Sequence, residues 1–450
     1  MKIACVILAA GKGVRMHSNL PKVLQPLLGR PLVSYAIATA QEVARTQPVL
    51  VIGHGADEIR QTIGESVQYV FQQPQLGTGH AVLQAENLLR NQADLVLVTY
   101  ADMPLLTAET LELLVRTQQE QSGAMTLLTA VSEQPRGFGR VLRDENNGVC
   151  AVVEEAQATP EQLAIRELNI GVYCFEANWL WNALREIELS PKGEYYLTDL
   201  VEIATREGRK IHSCTVDDIN ETIGINTRVH LAEASEVLRA RINRHWMREG
   251  VTLINPGSTY IEPGVRIGRD TVIWPDTYLQ GNTEIGEACE VGPNTMLRNT
   301  RVGNACKVLF AVSEGAILED EVEVGPFARL RKGAHLARGV HMGNFGEVKN
   351  SYLGTGSKMG HFSYLGDATL GANVNIGAGT ITCNYDGERK YPTEIGTGAF
   401  IGSDTMLVAP VRIGENARTG AGSVVTKEVP PESLAVGVPA RVIRKLAKRD

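Results

Sequence analysis

Two different hydrophobic periods divide the chain. In the first half, short apolar runs alternate with stretches of helical period. Residues 3–8 (IACVIL), 49–52 (VLVI), 67–71 (VQYVF) and 95–99 (LVLVT) read as strands, and 31–45 and 79–90 read as helices. Strand–helix alternation of this kind predicts an α/β domain with a largely parallel sheet. Residues 229–247 (VHLAEASEVLRARINRHWM) have helical period and strong helix formers, so they predict a linking helix. After residue 250 a six-residue period takes over. An aliphatic side chain recurs at Ile261, Ile267, Ile273, Leu279, Ile285 and Val291. It returns at Val324, Leu330, Leu336, Met342 and Val348, at Leu353, Met359 and Leu365, and at Ile395, Ile401, Leu407 and Ile413. Glycine often follows it, as in Ile267-Gly268, Ile285-Gly286 and Ile401-Gly402. This is the hexapeptide repeat of a parallel β-helix: the aliphatic residue points inward and stacks on the next coil. The expected domains are therefore 1–228, a linker helix over 229–249, and a β-helix over 250–450.

Charge and composition narrow the partners. The formal net charge is −7, which argues against a nucleic-acid groove and leaves small phosphorylated ligands open. There are 45 glycines and few aromatics, as tight repeated turns require. Seven cysteines form no C-x-x-C pair, so a zinc site or disulfide framework is not expected and a reducing compartment is. The apolar start is too short for a secretory signal and runs directly into Gly11-Lys12-Gly13. No stretch has the ~18 apolar residues of a membrane span. A cytoplasmic protein without membrane or nucleic-acid partners is expected.

Candidate chemistry in the first half begins at Leu8-Ala9-Ala10-Gly11-Lys12-Gly13-Val14-Arg15-Met16, just after the first strand. Glycines there let backbone N–H groups approach phosphate oxygens, and Lys12, Arg15 and Lys22 supply positive charge. The full string with Pro21-Lys22 resembles the nucleotide-sugar pyrophosphorylases, which join a sugar 1-phosphate to a nucleoside triphosphate. The resemblance implies that Gln75-Leu76-Gly77-Thr78-Gly79-His80-Ala81 lies at the base, with Gln72 just upstream. The Gln72 amide can donate and accept, matching the edge of uracil. Gly77 would let a planar ring lie on the backbone. His80 reads as a structural residue rather than an acid–base group. Asp102 follows the strand 95–99, where a carboxylate is well placed to meet a metal ion. The resemblance assigns it to Mg²⁺ with Asn226, and assigns Gly139, Glu154 and Asn169 to the amino-sugar.

In the second half, Arg331 and Lys349 lie eighteen residues apart. If three hexapeptides make one coil, they stack about 4.8 Å apart, and an anion between them relieves their repulsion. His361 follows in SKMGHFSY, a residue type suited to take a proton from an attacking amine. Residues 375–387 (NIGAGTITCNYDG) break the period and must loop out until Ile395, bringing Asn384, Tyr385 and Lys390 within reach of a neighbouring coil or subunit.

The repeat resembles the hexapeptide acyltransferases, whose β-helix is left-handed and trimeric. Taken whole, the chain is similar to the bifunctional N-acetylglucosamine-1-phosphate uridyltransferases/glucosamine-1-phosphate acetyltransferases, from the first strand to about residue 430. That implies a Rossmann-like nucleotidyltransferase domain, a linking helix and a left-handed β-helix, assembled as a homotrimer. It implies Leu8, Ala9, Ala10, Gly11, Lys22, Gln72, Gly77, Thr78, Gly139, Glu154, Asn169 and Asn226 around UTP and the UDP-sugar, with Mg²⁺ on Asp102 and Asn226. It implies His361 as general base, and Arg331, Lys349, Tyr364, Asn375 and Lys390 around the acceptor sugar phosphate. Ala378, Asn384, Tyr385, Ser403 and Ala421 are then expected along acetyl-CoA. Glu347 is a candidate to orient His361. Three positions depart from the family pattern: Ala101 replaces a usual Gly, Glu155-Ala156-Gln157-Ala158 replaces His-Lys-Asp-Ala, and Gly437 stands where an Arg contacts acetyl-CoA. Two alternatives stay open: a single-activity sugar-1-phosphate nucleotidyltransferase with a regulatory or trimerising β-helix, and a non-enzymatic trimerising scaffold. His361 with Asn384-Tyr385-Asp386-Gly387 favours the two-step enzyme over the first, and intact Asp102, Asn226 and His361 argue against the second.

Overall fold

The apolar runs of the first half become the strands of one sheet. A computed structural model describes residues 1–446. It divides into two units, Met1–Leu238 and a second from Arg239 onward. In the first unit we number the strands β1 (Ile3–Leu8), β2 (Val49–Ile52), β3 (Gln68–Phe71), β4 (Leu95–Tyr100), β5 (Met125–Val131), β6 (Gly139–Arg143), β7 (Val149–Val153), β8 (Glu167–Glu176) and β9 (Ile211–Thr215). Their order is β9-β5-β8-β4-β1-β2-β3, with the β6–β7 hairpin attached to β8. The sheet is largely parallel, as the pattern predicts; along this path only β8 runs the other way, antiparallel to both β4 and β5. Strands β1 and β4 are apolar throughout because both faces are covered. Ala4, Val6 and Leu8 face one core, and Cys5, Ile7 and Ala9 face the other. Leu8 pairs with Tyr100, so the turns after β1 and β4 leave the sheet side by side. Ligand sites of open α/β sheets gather at this edge.

The pattern over 79–90 is two short helices, Thr78–Leu83 and Glu86–Leu89. The chain tightens between them, where Ala85 N–H donates to Val82 O and Leu88 N–H to Ala85 O.

The linking helix runs from Arg228 to Arg248. Its first part carries Leu231, Ala234, Val237 and Leu238 into a cluster with Met16, Leu27, Leu32, Ile223 and Ile225. Ile242 and Trp246 pack instead on the core of the second unit. A fragment ending at residue 228 therefore loses the cover of Ile225, next to Asn226. We expect it to be less stable than a fragment ending at 248 by on the order of 3 kcal/mol, from the apolar side chains uncovered. Urea unfolding of the two fragments checks this, and equal midpoints would contradict it.

In the second unit each coil but the last lays one short strand on each of three faces. The first face runs from Thr252–Leu253 to Ala440–Lys445, the second from Thr259–Ile261 to Val424–Val425, and the third from Arg266–Ile267 to Val411–Ile413. Neighbouring coils pair in parallel register, as in Ile261 with Leu279 and Ile267 with Ile285. The repeat aliphatics stack inside as one core from Val251 to Ala435. This is the parallel β-helix that the six-residue period predicts, and its three-sided coil fits the left-handed form. Thr369 pairs with Glu394, so the extra residues between Cys383 and Thr393 leave the coil without shifting the register on either side.

Candidate functional site

In the first unit, two turns and a bulge converge at the strand ends. The Ala101 N–H donates to Leu8 O, and the Ile225 N–H donates to Asp102 O. These bonds hold Asp102 and Asn226 together although they lie far apart in sequence. The Lys22 ammonium bridges them: it forms an ion pair with Asp102 Oδ2 and donates to Asn226 Oδ1 at 3.2 Å. Two oxygen donors thus converge on one cation. Among the described residues no group of three or more His, Cys, Asp or Glu gathers as a metal site. A pair of oxygens at the mouth of a ligand cavity suits Mg²⁺, which keeps several waters and leans on substrate phosphates.

Behind this pair lies a cavity of about 320 Å³ lined by Thr78, Tyr100, Asp102, Gly139, Glu154, Asn169, Tyr196 and Asn226, among others. Six of the sequence-derived residues share it. A register shift in β8 between Asn169 and Tyr173 turns Asn169 inward. There Asn169 donates to the Tyr173 hydroxyl at 2.8 Å and accepts from the Gly171 N–H at 3.3 Å. Gly171 sits at φ +84°, and a Cβ there would come within 3.1 Å of the Tyr100 ring. Burial pushes the Glu154 carboxyl up, opposed by the Thr198 hydroxyl and the Lys192 charge. Burial, with the charges of Asp102 and Glu154, pushes the Tyr100 hydroxyl far above its ordinary range.

Leu8, Ala9, Ala10 and Gly11 leave β1 beside this cavity, and Gln72 and Gly77 lie on a second turn. The buried Gln72 amide nitrogen donates to Gly77 O at 2.9 Å and lies 3.1 Å from His80 Nδ1. The Gln72 amide thus sits on the turn that the sequence assigns to the base. His80 holds this turn, with Gln84 on its other nitrogen at 3.1 Å. Gly77, at φ +95°, packs so closely that a Cβ would lie 2.7 Å from Tyr195 O.

In the second unit the candidate residues fall at two edges of the second face. At the edge toward the third face, the Arg331 N–H donates to Val348 O, which puts Arg331 beside Lys349 as the spacing implies. Lys390 reaches them from the extra loop. Its charge, with that of Arg331, holds the Lys349 ammonium below the usual lysine range. Asn384 is buried and donates to Asp367 Oδ2 at 2.5 Å. Gly366 has no Cβ to obstruct Tyr364 and Asn384, which press against it. Glu347 accepts from Arg331 at 2.9 Å, so within one chain it joins this cation cluster. We expect Lys349 to lose its proton below the usual lysine range, and Lys390→Met to move that loss upward. NMR titration of labelled lysines checks this, and an unmoved Lys349 signal in the variant would contradict it.

The other edge carries His361, which is exposed. It stands two residues past Met359. Ala378, Ser403 and Ala421 stand two residues past Ile376, Ile401 and Thr419 on successive strands of the first face. Ile376 pairs with Ile401, and Thr419 with Ala435. The four residues therefore form one column, a coil apart at about 4.8 Å per step. Gly437 is its next step. Asn375 lies on the first face, in register with Lys358 and Phe400. Asn384 and Tyr385 are not in the column; they sit at the cation edge, where Tyr385 pairs with Lys390.

Residues 5–174 match the MobA-like NTP transferase domain, and residues 264–299 and 392–427 match the bacterial transferase hexapeptide of six repeats. Bifunctional protein GlmU of Heliobacterium modesticaldum is 48% identical over 97% of this chain and 95% of its own. Those of Exiguobacterium sibiricum and Halalkalibacterium halodurans are 46% and 43% identical, each over 96% of this chain. The chain belongs to the bifunctional GlmU family. A solved structure of UDP-glucose pyrophosphorylase with UDP-glucose aligns over 54% of this chain and 100% of its own at 19% identity, with a TM-score of 0.42.

The departures from the GlmU pattern have local consequences. Ala101 is fully buried in the core with Cys5 and Ile7, so its methyl points away from the ligand edge. Glu155 pairs with Arg140 at 3.3 Å on a neighbouring cavity of about 790 Å³, which Lys192 also lines. Gly437 turns a hairpin that pairs Arg441 with Val436 and Arg444 with Leu434. Sequence reasoning missed Tyr100, Tyr173, Tyr196 and Gly366. The glycine of Asn169-Ile170-Gly171 is the one sequence signal of the bulge beside which Tyr100 and Tyr173 line the cavity.

Proposed function

We propose that the chain acetylates glucosamine 1-phosphate with acetyl-CoA in its second unit and uridylates the product in its first, giving UDP-N-acetylglucosamine and pyrophosphate. The observation that carries the uridylation reading is the convergence of Asp102, Asn226 and Lys22 at the mouth of a cavity holding Glu154 and Asn169. Asp102 and Asn226 would hold Mg²⁺, which would supply charge neutralisation for the triphosphate. The sugar phosphate oxygen attacks the α-phosphorus in line, the bond to the β-phosphate breaks, and pyrophosphate leaves. The chain contributes position and charge: Lys22 and the Leu8–Gly11 turn hold phosphates, Gln72 accepts from the base, and Gly139, Glu154 and Asn169 hold the sugar. In the second unit the substrate amine attacks the thioester carbonyl, the C–S bond breaks, and His361 takes the amine proton. Arg331, Lys349 and Lys390 hold the acceptor phosphate near Tyr364 and Asn375, and the column of Ala378, Ser403 and Ala421 accepts the arm of acetyl-CoA. Formation of UDP-N-acetylglucosamine from glucosamine 1-phosphate, acetyl-CoA, UTP and Mg²⁺ tests the whole reading. Uridylation without acetylation would select the single-activity alternative.

The acetyl-transfer site is completed in a homotrimer. This is supported by the separation of His361 from Asn384 and Tyr385 on opposite edges of one face, and by the exposed ladder of Phe327 and Phe345 stacked at 5.3 Å. Mixed trimers of His361→Ala and Asn384→Ala subunits should regain part of the lost acetylation, and none would be regained if one chain holds both residues. No helix among the described residues is long and apolar enough to cross a membrane. Small molecules in the cytoplasm are the partners of this reading.

A further inference from the structure

The residue assigned to the triphosphate is not free to meet it. Lys22 spends its ammonium on Asp102 and Asn226, the same two oxygens that suit the metal. Its side chain is only 13% exposed and that of Asp102 only 20%, so this is a formed contact and not a loose surface pair. The stem is fixed as well. Gly13, at φ +59°, would bring a Cβ within 2.5 Å of Lys22 Cβ, 3.3 Å of Cγ and 3.4 Å of Cδ. The chain of Lys22 therefore crosses the Gly11–Gly13 turn, with its head at the metal pair and its stem along the phosphate turn.

We propose that Lys22 is a resident stand-in for the divalent cation: it occupies the Asp102–Asn226 pair in the nucleotide-free protein and must leave for the metal to load. The proposal rests on the reading of Asp102 and Asn226 as metal ligands. A divalent ion bound to both oxygens at about 2 Å would lie against an ammonium bonded to the same atoms. Two cations repel at that distance, and an ammonium has no lone pair with which to ligate a metal. The two cations therefore compete for the pair. Exchange has two consequences. Without nucleotide, Lys22 competes with the metal and weakens its binding. With nucleotide, the displaced ammonium gains the phosphates, so metal and triphosphate favour each other's binding through one side chain. A carboxylate left bare at this edge would also attract stray cations, which the resident ammonium prevents.

The test is Mn²⁺ binding to the full-length, nucleotide-free protein, followed by electron paramagnetic resonance of the free ion. Lys22→Met keeps the stem against Gly13 and removes the charge. It should bind Mn²⁺ at least tenfold more tightly than the unaltered protein, although its uridylation falls. Lys12→Met removes an exposed charge from the same turn and should change Mn²⁺ affinity far less. Asp102→Asn should weaken Mn²⁺ binding. If Asp102→Asn weakens it but Lys22→Met does not strengthen it, the stand-in is wrong and the metal reading stands. Equal tightening by Lys12→Met would reduce the effect to general charge and overturn the proposal. No effect of Asp102→Asn would sink the metal reading and this proposal with it. A second measurement uses the unaltered protein. Mg²⁺ should raise the acylation of Lys22 by an amine-reactive reagent several-fold, read by peptide mass, because the ammonium leaves its ion pair. Unchanged labelling at saturating Mg²⁺ would refute the exchange.

Discussion

Asp102→Asn is expected to lower uridyl transfer by roughly 10²–10³-fold, about 3–4 kcal/mol of barrier, while acetyl transfer stays within a few-fold. The substitution keeps the size of the side chain and one oxygen, so packing around Ala101 and Met103 is retained. It removes the negative charge that holds a cation beside Asn226. The loss should fall mainly on the rate at saturating UTP and be relieved in part by raised Mg²⁺. Separate assays of the two half-reactions check this. Equal loss of both would contradict independent sites, and unchanged uridylation would remove Asp102 from the metal.

His361→Ala is expected to lower acetyl transfer by 10²–10⁴-fold, the ordinary contribution of a positioned base, and to leave uridylation of N-acetylglucosamine 1-phosphate intact. The side chain is exposed at a coil corner, and its removal uncovers no core. A folded, trimeric variant with an unimpaired acetylation rate would refute the assignment. The Arg331–Glu347 pair makes a useful contrast. Removing Glu347 should act on acceptor binding, because its partner within the chain is the cation cluster.

The β-helix was legible because its period belongs to a one-dimensional stack, where each coil needs only its neighbours. The turns after β1 and β4 were legible for a similar reason, since glycines and carboxylates at strand ends carry their chemistry locally. What stayed hidden depends on residues distant in sequence. The antiparallel course of β8 and its bulge at Asn169–Tyr173 follow from pairing with β4, β5 and β6 together. Tyr173 is buried and Tyr100 partly so, and both line the cavity beside the bulge. Glu347 lies on the same face as Tyr364, yet spacing could not reveal that Arg331, one coil earlier, claims it. The contacts of the Gln72 amide nitrogen depend on His80 and on the conformation of Gly77.

The column that begins at His361 also constrains how such a protein can diverge. Its members are separated by whole coils, so the span from the base to any contact changes only in steps of about 4.8 Å. A donor with a slightly longer or shorter arm cannot be met by stretching the scaffold. It must be met by exchanging a side chain on one step, or by lengthening a loop such as the one between Cys383 and Thr393, which leaves the stack undisturbed. The scaffold is a ruler with fixed graduations, and inheritance can relabel its marks more readily than respace them.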